Sequence, residues 1–177
     1  RPDEMLAHII NATLERNPNL PPEAVEDIIM GCGNPEGAQG HNVGRNAAVL
    51  SNLPITTGGT TINRYCSSGM QSISMAASQI MAGCYDTVIA GGAETISMMQ
   101  GKQNMDNFVN ERLAEKSPGI YYPMGMTAEV VAKRYNVSRE AQDEYAFESQ
   151  MRTAAAQQAG AYDDEIIPME TKMLLMN

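Results

Sequence analysis

The chain has 177 residues, of which 43% are hydrophobic, and its 21 acidic and 12 basic residues give a formal net charge of −9. This length fits one domain, or one domain and part of another, and the hydrophobic content predicts a packed core rather than a disordered chain. The acidic balance argues against a nucleic-acid partner, which needs a basic face, although a local cationic patch can still hold an anionic small ligand.

The first half of the chain alternates helical and strand patterns. Apolar residues at helical spacing from Leu6 to Leu14 predict a helix that begins near Pro2 and stops at Asn17-Pro18. Three strands and two helices follow in alternation, over residues 27–31, 42–50, 58–63, 66–81 and 86–90. Strand, helix and strand with short joints form a βαβ unit. We therefore predict an α/β protein whose sheet is mixed or parallel and buried on both faces.

The helix predicted over residues 66–81 has the pattern of an amphipathic helix. Its apolar stripe consists of Met70, Ile73, Ala77 and Ile80. Gly83 stands in a C-cap position and is expected to end this helix.

The character of the chain changes after Ser97. Residues 100–117 are polar and show no clear period, whereas residues 127–135 and 139–159 predict two helices, the second with Ser138 as its N-cap. Residues 162–168 suggest a short strand. We therefore divide the chain into a first domain over residues 1–97 and a second over residues 98–177. No apolar run is long enough to cross a bilayer.

Cys66 lies where a predicted strand turns into a predicted helix. The unpaired N–H groups and the dipole of a helix N-terminus stabilise a thiolate, which raises the reactive fraction of a cysteine. Ser67, Ser68 and Gly69 are small, so a substrate carbonyl can approach backbone N–H groups that would hold a developing oxyanion. The position alone leaves a nucleophile and a buried structural cysteine equally open.

Other residues fit simpler explanations. Cys32 and Cys84 are expected to be packing residues, and three cysteines at wide spacing predict neither a disulfide framework nor a zinc site. A Cys–His protease pair of Cys66 with His41 is disfavoured. The glycines from Gly31 to Gly37 do not match the spacing of the dinucleotide-binding fingerprint.

Five motifs in order resemble the thiolase family. The stretch Asn63-Arg64-Tyr65-Cys66-Ser67-Ser68-Gly69 is similar to its acyl-enzyme cysteine motif. Gly91-Gly92-Ala93-Glu94 resembles its Gly-Gly-x-Glu turn. The sequence gives Glu94 no chemical role, and a part in the turn or in support of residues at the site is expected. The others lie at residues 124–129, 139–149 and 164–168, and they resemble its Met-Gly-x-Thr-Ala-Glu segment, the following helix and the strand after it.

The resemblance implies an α-β-α-β-α thiolase fold made of two similar halves. Residues 1–97 would form the N-terminal half with the nucleophile, residues 98–177 an incomplete inserted loop domain, and the C-terminal half would be absent. Cys66 would be the catalytic nucleophile, and Met124 would lie near the acyl chain of the substrate. The family's general-base histidine and second catalytic cysteine would lie beyond Asn177. The fragment alone would therefore be inactive.

The resemblance also implies the reaction and the partners. The enzyme would be an acetyl-CoA C-acyltransferase that cleaves 3-ketoacyl-CoA through an acyl-cysteine in fatty-acid β-oxidation, with acyl-CoA and coenzyme A as partners. Coenzyme A would be a co-substrate, with no cofactor and no metal. A homodimer or homotetramer is expected. No secretory signal is visible. Because the chain begins with Arg1 rather than Met, however, its true start is expected to be missing. We expect a bacterial cytoplasmic protein, with mitochondrial and peroxisomal locations left open.

Three alternative functions stay open. The first is the biosynthetic acetoacetyl-CoA type of thiolase. Pro35-Glu36-Gly37 and Tyr122-Pro123 resemble the degradative thiolases more than this type. The second is a condensing enzyme of the ketoacyl-synthase kind, which would depend on acyl-carrier protein. The third is a non-catalytic thiolase-like lipid carrier, which would form no acyl-enzyme.

Overall fold

The computed structural model describes residues 1–172, which divide into two compact units. The first is Arg1–Gln103, with which residues 169–172 group, and the second is Asn104–Pro168. The division follows Gln103 rather than Ser97, and the assignment of residues 98–177 to a family loop domain stays a prediction. The last five residues of that range, 173–177, lie outside the described residues.

The first unit is built on a three-stranded parallel sheet. The strands are β1 (Asp27–Gly31), β2 (Thr60–Ile62) and β3 (Val88–Gly92), in the order β2-β1-β3. Gly31 is in register with Ile62 on one side and with Gly92 on the other, so all three strands end at the same edge. The predicted α/β class and βαβ unit are therefore confirmed.

Four α-helices belong to the described part of this unit, in addition to short 3-10 helices at Pro22–Ala24 and Gly37–Gln39. The α-helices are α1 (Pro2–Arg16), α2 (Val43–Leu50), α3 (Ser68–Met81) and α4 (Ile96–Met99). The first three were predicted to within two residues at each end. Gly83 ends α3 as expected, with a φ of 71° and the N–H of Cys84 bonded back to the carbonyl of Gln79. The single turn α4 is too short to give a periodic pattern in the sequence.

Strand β1 is the centre of the fold, and all five of its residues are buried. Ile28 and Met30 join an apolar cluster with residues of α1 and α2, whereas Gly31 packs on the start of α3. Because successive side chains of a strand point to opposite faces, α1 and α2 cover one face of β1 and α3 covers the other.

The face of α3 that packs on the sheet is small and polar, not the apolar stripe. Its buried residues are Ser68, Ser72 and Ala76. Met70, Ile73, Ala77 and Ile80 are exposed within this unit. The stripe does not face the sheet because α3 lies close to glycines of the strands, where only small side chains fit between helix and sheet. The Ser72 hydroxyl, for example, lies 2.8 Å from the carbonyl of Gly91.

The second unit is helical. It contains α5 (Glu111–Lys116), α6 (Met124–Tyr135) and α7 (Arg139–Gln158), and Ser138 caps α7 as predicted by accepting a bond from the N–H of Ala141. Helix α5 was not predicted. The strand suggested at residues 162–168 is wrong, because the N–H groups of Glu165 and Ile166 bond back to the carbonyl of Tyr162 and form a turn. Over residues 1–172, none of the helices combines the length and hydropathy that a bilayer crossing requires.

Candidate active site

The candidate site lies at the carboxyl edge of the parallel sheet. A cavity of about 510 Å³ opens there and is lined by residues that follow each of the three strands, among them Gly33 after β1, Cys66 after β2 and Glu94 after β3. The carboxyl ends of parallel strands are where α/β proteins commonly bind ligands, because the strand-to-helix loops converge there.

Cys66 stands two residues before the first residue of α3 and is exposed. The N-terminal N–H groups of this 14-residue helix have no partners within the helix, and its dipole adds partial positive charge near the thiol. Cys84 is also exposed, but it follows the other end of α3 and does not line the cavity. The structure therefore places Cys66, and not Cys84, in the setting expected of a nucleophile.

A strained turn presents Cys66 to the cavity. Tyr65, which precedes it, adopts a φ of 46°, a left-handed backbone conformation that residues other than glycine rarely take. Asn63 Oδ1 accepts a hydrogen bond of 2.8 Å from the Tyr65 N–H. The Ser68 hydroxyl accepts from the Arg64 N–H at 2.9 Å and donates to the Tyr65 carbonyl at 2.6 Å. These bonds hold the backbone on both sides of Cys66.

Gly31 allows the start of α3 to lie directly on β1. A Cβ atom at this position would come within 2.6 Å of both the carbonyl oxygen of Ser68 and the nitrogen of Gly69. The sequence marked Gly31 only as the end of a strand. Its second function, room for the helix that carries the nucleophile, depends on the packing of two elements that are far apart in sequence.

A polar network crosses the cavity wall beside Cys66. The carboxylate of Glu94 accepts a bond of 2.6 Å from the N–H of Gly33 and a second bond from the side-chain amide of Gln39. Gln39 is completely buried, and its amide oxygen accepts from both the N–H and the hydroxyl of Thr95, at 2.9 and 2.8 Å. Sequence reasoning missed Gln39, and for Glu94 it predicted only a part in a turn or in support of neighbouring residues. The one available signal was an acid placed two residues after a strand that ends in Gly91-Gly92.

Cys32 is a contrasting cysteine. It is 1% exposed, and its sulfur lies 4.0 Å from a carboxylate oxygen of Glu94. Burial raises the pKa of the Cys32 thiol, and the charge of Glu94 raises it further. A thiol in this environment stays protonated near neutral pH, in agreement with the packing role expected from the sequence.

Met124 and the two histidines lie apart from these features. Met124 is the first residue of α6, in the second unit, and 68% of it is exposed. Its place near an acyl chain stays a prediction. Neither His8 nor His41 lines the cavity, and residues 1–172 contain no group of three or more His, Cys, Asp or Glu side chains arranged to hold a metal ion.

Comparisons with known proteins agree on one family. The family described as "Thiolase, N-terminal domain" matches residues 1–175. A 3-ketoacyl-CoA thiolase of Bacillus subtilis (strain 168) is 48% identical over 172 residues, which cover 96% of this chain and 43% of that protein. A beta-ketoadipyl-CoA thiolase of Escherichia coli is 39% identical over 189 residues, which cover 97% of this chain and 47% of that protein.

A solved structure shows the same fold. The crystal structure of the Bacillus anthracis acetyl-CoA acetyltransferase matches with a TM-score of 0.79 at 32% identity and covers 98% of this chain and 46% of that one. The chain spans less than half the length of each of these three proteins.

Proposed function

Because this chain belongs to the thiolase family, we propose that it supplies the nucleophile of an acyltransferase that cleaves 3-ketoacyl-CoA with coenzyme A. The observation that carries the proposal is the exposed thiol of Cys66, held by a strained turn at the N-terminus of α3 and facing the cavity. A thiolate stabilised by a helix N-terminus is a good nucleophile towards a carbonyl carbon.

The proposed reaction has two halves. The sulfur of Cys66 attacks the C3 carbonyl of the substrate, the C2–C3 bond breaks, and its electron pair leaves on C2 as the enolate of acetyl-CoA, which then takes a proton. The sulfur of a second coenzyme A attacks the resulting thioester. The bond from Cys66 to the acyl carbon breaks and the thiolate is restored. Dividing the transfer in this way replaces one difficult step with two easier ones.

The backbone around Cys66 suits this chemistry. The N–H groups of Ser67 and Ser68 bond to the carbonyls of Arg64 and Tyr65, so we assign stabilisation of the oxyanion that forms during attack to the other N–H groups of the turn and of the start of α3. A proton donor for the enolate is still needed. Among the described residues no histidine lines the cavity, so we place the general base outside residues 1–172.

The substrate class follows from the relatives. The Bacillus subtilis and Escherichia coli proteins are named for 3-ketoacyl-CoA and beta-ketoadipyl-CoA, which favours a degradative reaction such as fatty-acid β-oxidation. The name of the Bacillus anthracis neighbour favours a second candidate, acetyl transfer between two acetyl-CoA molecules, which uses the same nucleophile in the reverse direction. We further propose a homo-oligomer in the bacterial cytoplasm.

The test uses the full-length protein that contains this chain. Wild-type protein mixed with a 3-ketoacyl-CoA and no free coenzyme A should gain the mass of one acyl group on the peptide that contains Cys66. Cys66→Ser should abolish both the adduct and turnover, while Cys84→Ser, the matched exposed control, should retain both. An acyl adduct on Cys84, or turnover that survives Cys66→Ser, would refute the assignment. Comparing thiolysis of short and long 3-ketoacyl-CoA with acetoacetyl-CoA synthesis separates the two candidates.

A further inference from the structure

We propose that Glu94 is a positioning residue that fixes the loop after β1 against the turn that bears Cys66, and that its pairing with Gln39 requires a carboxylate at position 94. The inference rests on the function proposed for Cys66. It concerns a residue to which the sequence assigned no chemical role and which contacts Cys66 only through its neighbours.

The backbone around Glu94 and Gln39 determines which side chain must donate and which must accept. The N–H of Thr95 donates to the amide oxygen of Gln39, and the carbonyl of Asn34 accepts from its amide nitrogen at 2.7 Å. The orientation of the Gln39 amide is therefore fixed, and its nitrogen also points at Glu94. The N–H of Gly33 points at the same carboxylate from the loop after β1.

Glu94 therefore faces two donors, and both of its side-chain oxygens must act as acceptors. A carboxylate accepts at both oxygens, whereas the amide of a glutamine has one acceptor and one donor. In an E94Q variant, the amide nitrogen would face either the N–H of Gly33 or the amide nitrogen of Gln39. One donor would then lose its partner, and the loop after β1 would lose one of its attachments.

Gly33 connects this network to the turn at Cys66. A Cβ atom on Gly33 would lie 2.7 Å from the carboxylate of Glu94 and 3.4 Å from the carbonyl oxygen of Tyr65. The glycine thus lies beside both groups: a side chain there would overlap the carboxylate of Glu94 and would be in van der Waals contact with the Tyr65 carbonyl. Glu94, Gly33, Tyr65 and Cys66 also line the same cavity. A shift of the Gly33 loop therefore changes the packing of the strained turn that aims the thiol.

The two side chains offer an exchange experiment. Q39E places two carboxylates in contact, and E94Q places two amide nitrogens in contact. The double variant Q39E/E94Q restores a donor–acceptor pair between positions 39 and 94 and keeps an acceptor for both Thr95 and Gly33. It replaces the bond from position 39 to the carbonyl of Asn34 with a contact between two acceptor oxygens, a cost that Q39E shares. A positioning role therefore predicts that the double variant is better than Q39E, the single variant that has the same contact.

Glu26→Gln is the matched control. The carboxylate of Glu26 also accepts two backbone N–H bonds, from Asp86 and Thr87 ahead of β3, at the opposite end of the sheet from Cys66. Both bonds go to the same oxygen, Oε2, so the variant removes the same charge while a glutamine oxygen can still accept both, and it leaves the cavity untouched.

The measurements are the rate of acyl-enzyme formation in a single turnover, the rate of Cys66 alkylation by iodoacetamide, and the thermal midpoint, all on full-length protein below its unfolding temperature. We expect E94Q and Q39E to slow acylation about tenfold to a hundredfold, the size of effect that a misplacement of about 1 Å produces. Q39E/E94Q should recover at least part of this loss, and E26Q should react at the wild-type rate whatever its midpoint.

The proposal is overturned if E94Q acylates and is alkylated as fast as the wild type, or if the double variant is no faster than Q39E. If E94Q does not fold, E94D, which keeps two acceptors on a shorter side chain, replaces it and must react more slowly than the wild type. Wild-type protein that forms no acyl-enzyme would refute the proposed function. The alkylation rates would still decide whether Glu94 positions Cys66.

Discussion

Ser68 is the residue on which the turn at Cys66 most depends. It is 4% exposed, and its single hydroxyl both accepts from the Arg64 N–H and donates to the Tyr65 carbonyl. The hydroxyl thus joins the two residues that precede Cys66, one of which is in a left-handed conformation. The left-handed conformation of Tyr65 is intrinsically unfavourable. Hydrogen bonds from side chains to the backbone maintain it and thereby hold the nucleophile in place.

Replacing Ser68 with alanine should therefore destabilise the protein by about 1–2 kcal/mol, because the Arg64 N–H loses its side-chain partner and the Tyr65 carbonyl keeps only the bond from the Ser68 N–H. It should also slow alkylation of Cys66, since Tyr65 is released from the turn. Ser67→Ala is the matched control. Its hydroxyl makes one bond, to the Arg64 carbonyl at 3.0 Å, and its loss should cost about 1 kcal/mol or less. Equal effects of the two substitutions on the urea midpoint and the alkylation rate would contradict this account.

Asp27 is a buried acid on the central strand. It is 8% exposed, and one of its oxygens accepts the N–H of Ile28 at 2.9 Å. Burial raises the pKa of the Asp27 carboxyl above its ordinary value, although the bond from Ile28 acts in the opposite direction. The folded state therefore favours the neutral acid. Any stability linked to this group is fully present below the unfolded pKa and is lost as the pH rises through the folded pKa.

We expect Asp27→Asn to raise the free energy of unfolding at pH 7 relative to the wild type, because the amide keeps an acceptor for Ile28 without a charge. The advantage should shrink as the pH falls through the folded pKa and should vanish below about 4, the ordinary pKa of an aspartate, where the wild-type acid becomes neutral in both states. Urea unfolding at a series of pH values measures the difference. Asp86→Asn, on an exposed side chain, serves as the control and should change stability by less than about 0.5 kcal/mol. An advantage that grows towards low pH would reverse the sign and refute the assignment.

At the scale of the elements, the contact between β1 and α3 sets the geometry of the site. Gly31 ends the central strand, and the first turn of α3 passes directly over it. The nucleophile precedes that turn by two residues. The distance between strand and helix therefore determines where Cys66 stands relative to the loops after β1 and β3.

Gly31→Ala should separate the two elements or distort them. Its methyl group would overlap backbone atoms of Ser68 and Gly69, which cannot rotate away, so a loss of about 1–3 kcal/mol or more is expected. Gly69→Ala is the control within the same contact, because a Cβ atom there meets nothing within 4 Å. It should be neutral or stabilise the helix by up to about 1 kcal/mol. Thermal midpoints of the two variants test the contrast, and a Gly31→Ala protein as stable as the Gly69→Ala protein would disprove it.

The sequence predicted elements better than it predicted their faces. Strand β1 was located without error because a continuous apolar run is typical of a strand buried on both sides. Helix α3 was located to within two residues, but its apolar stripe proved to be exposed, because the sheet below it ends in glycines and admits only serine and alanine side chains. Glycine on a strand changes which face of the neighbouring helix fits, and a periodicity argument for the helix alone contains no such information.

The candidate site was predictable to a similar degree. Local sequence marked Cys66 as a candidate, since a strand end, small residues and a helix start adjoin within a few positions, and the family resemblance favoured it over a structural cysteine. Glu94 and Gln39 could not be found in this way, because their pairing joins segments 55 positions apart and depends on which backbone groups point into the cavity. The turn at residues 162–168 shows the opposite error. A resemblance suggested a strand there, but local hydrogen bonds close a turn over Tyr162 instead.

At the scale of the whole molecule, the exposed stripe of α3 is the feature that most needs a covering surface. Met70 is 72% exposed, Ile73 60% and Met81 87%, all on the helix that begins beside the nucleophile. Contiguous apolar surface of this kind is uncommon on an isolated soluble domain. The chain also spans less than half the length of its relatives. We therefore expect the rest of the protein to cover this face and to complete the site.

For these reasons, residues 1–177 expressed alone should react at Cys66 with a substrate or an alkylating reagent, but should not catalyse repeated acyl transfer. Transfer needs a group that takes the thiol proton and protonates the enolate, and no histidine lines the cavity of the described part of the chain. We expect no thiolysis of acetoacetyl-CoA by the fragment and poor solubility from its exposed stripe. Activity should return when the remainder of the protein is supplied, but not when the added remainder is combined with a Cys66→Ala fragment.

The assay must follow a demonstration of folding, for example by circular dichroism and by a cooperative unfolding transition. Turnover by the fragment alone that disappears in Cys66→Ala would show that a base exists within residues 1–177 and would remove the need for a second half.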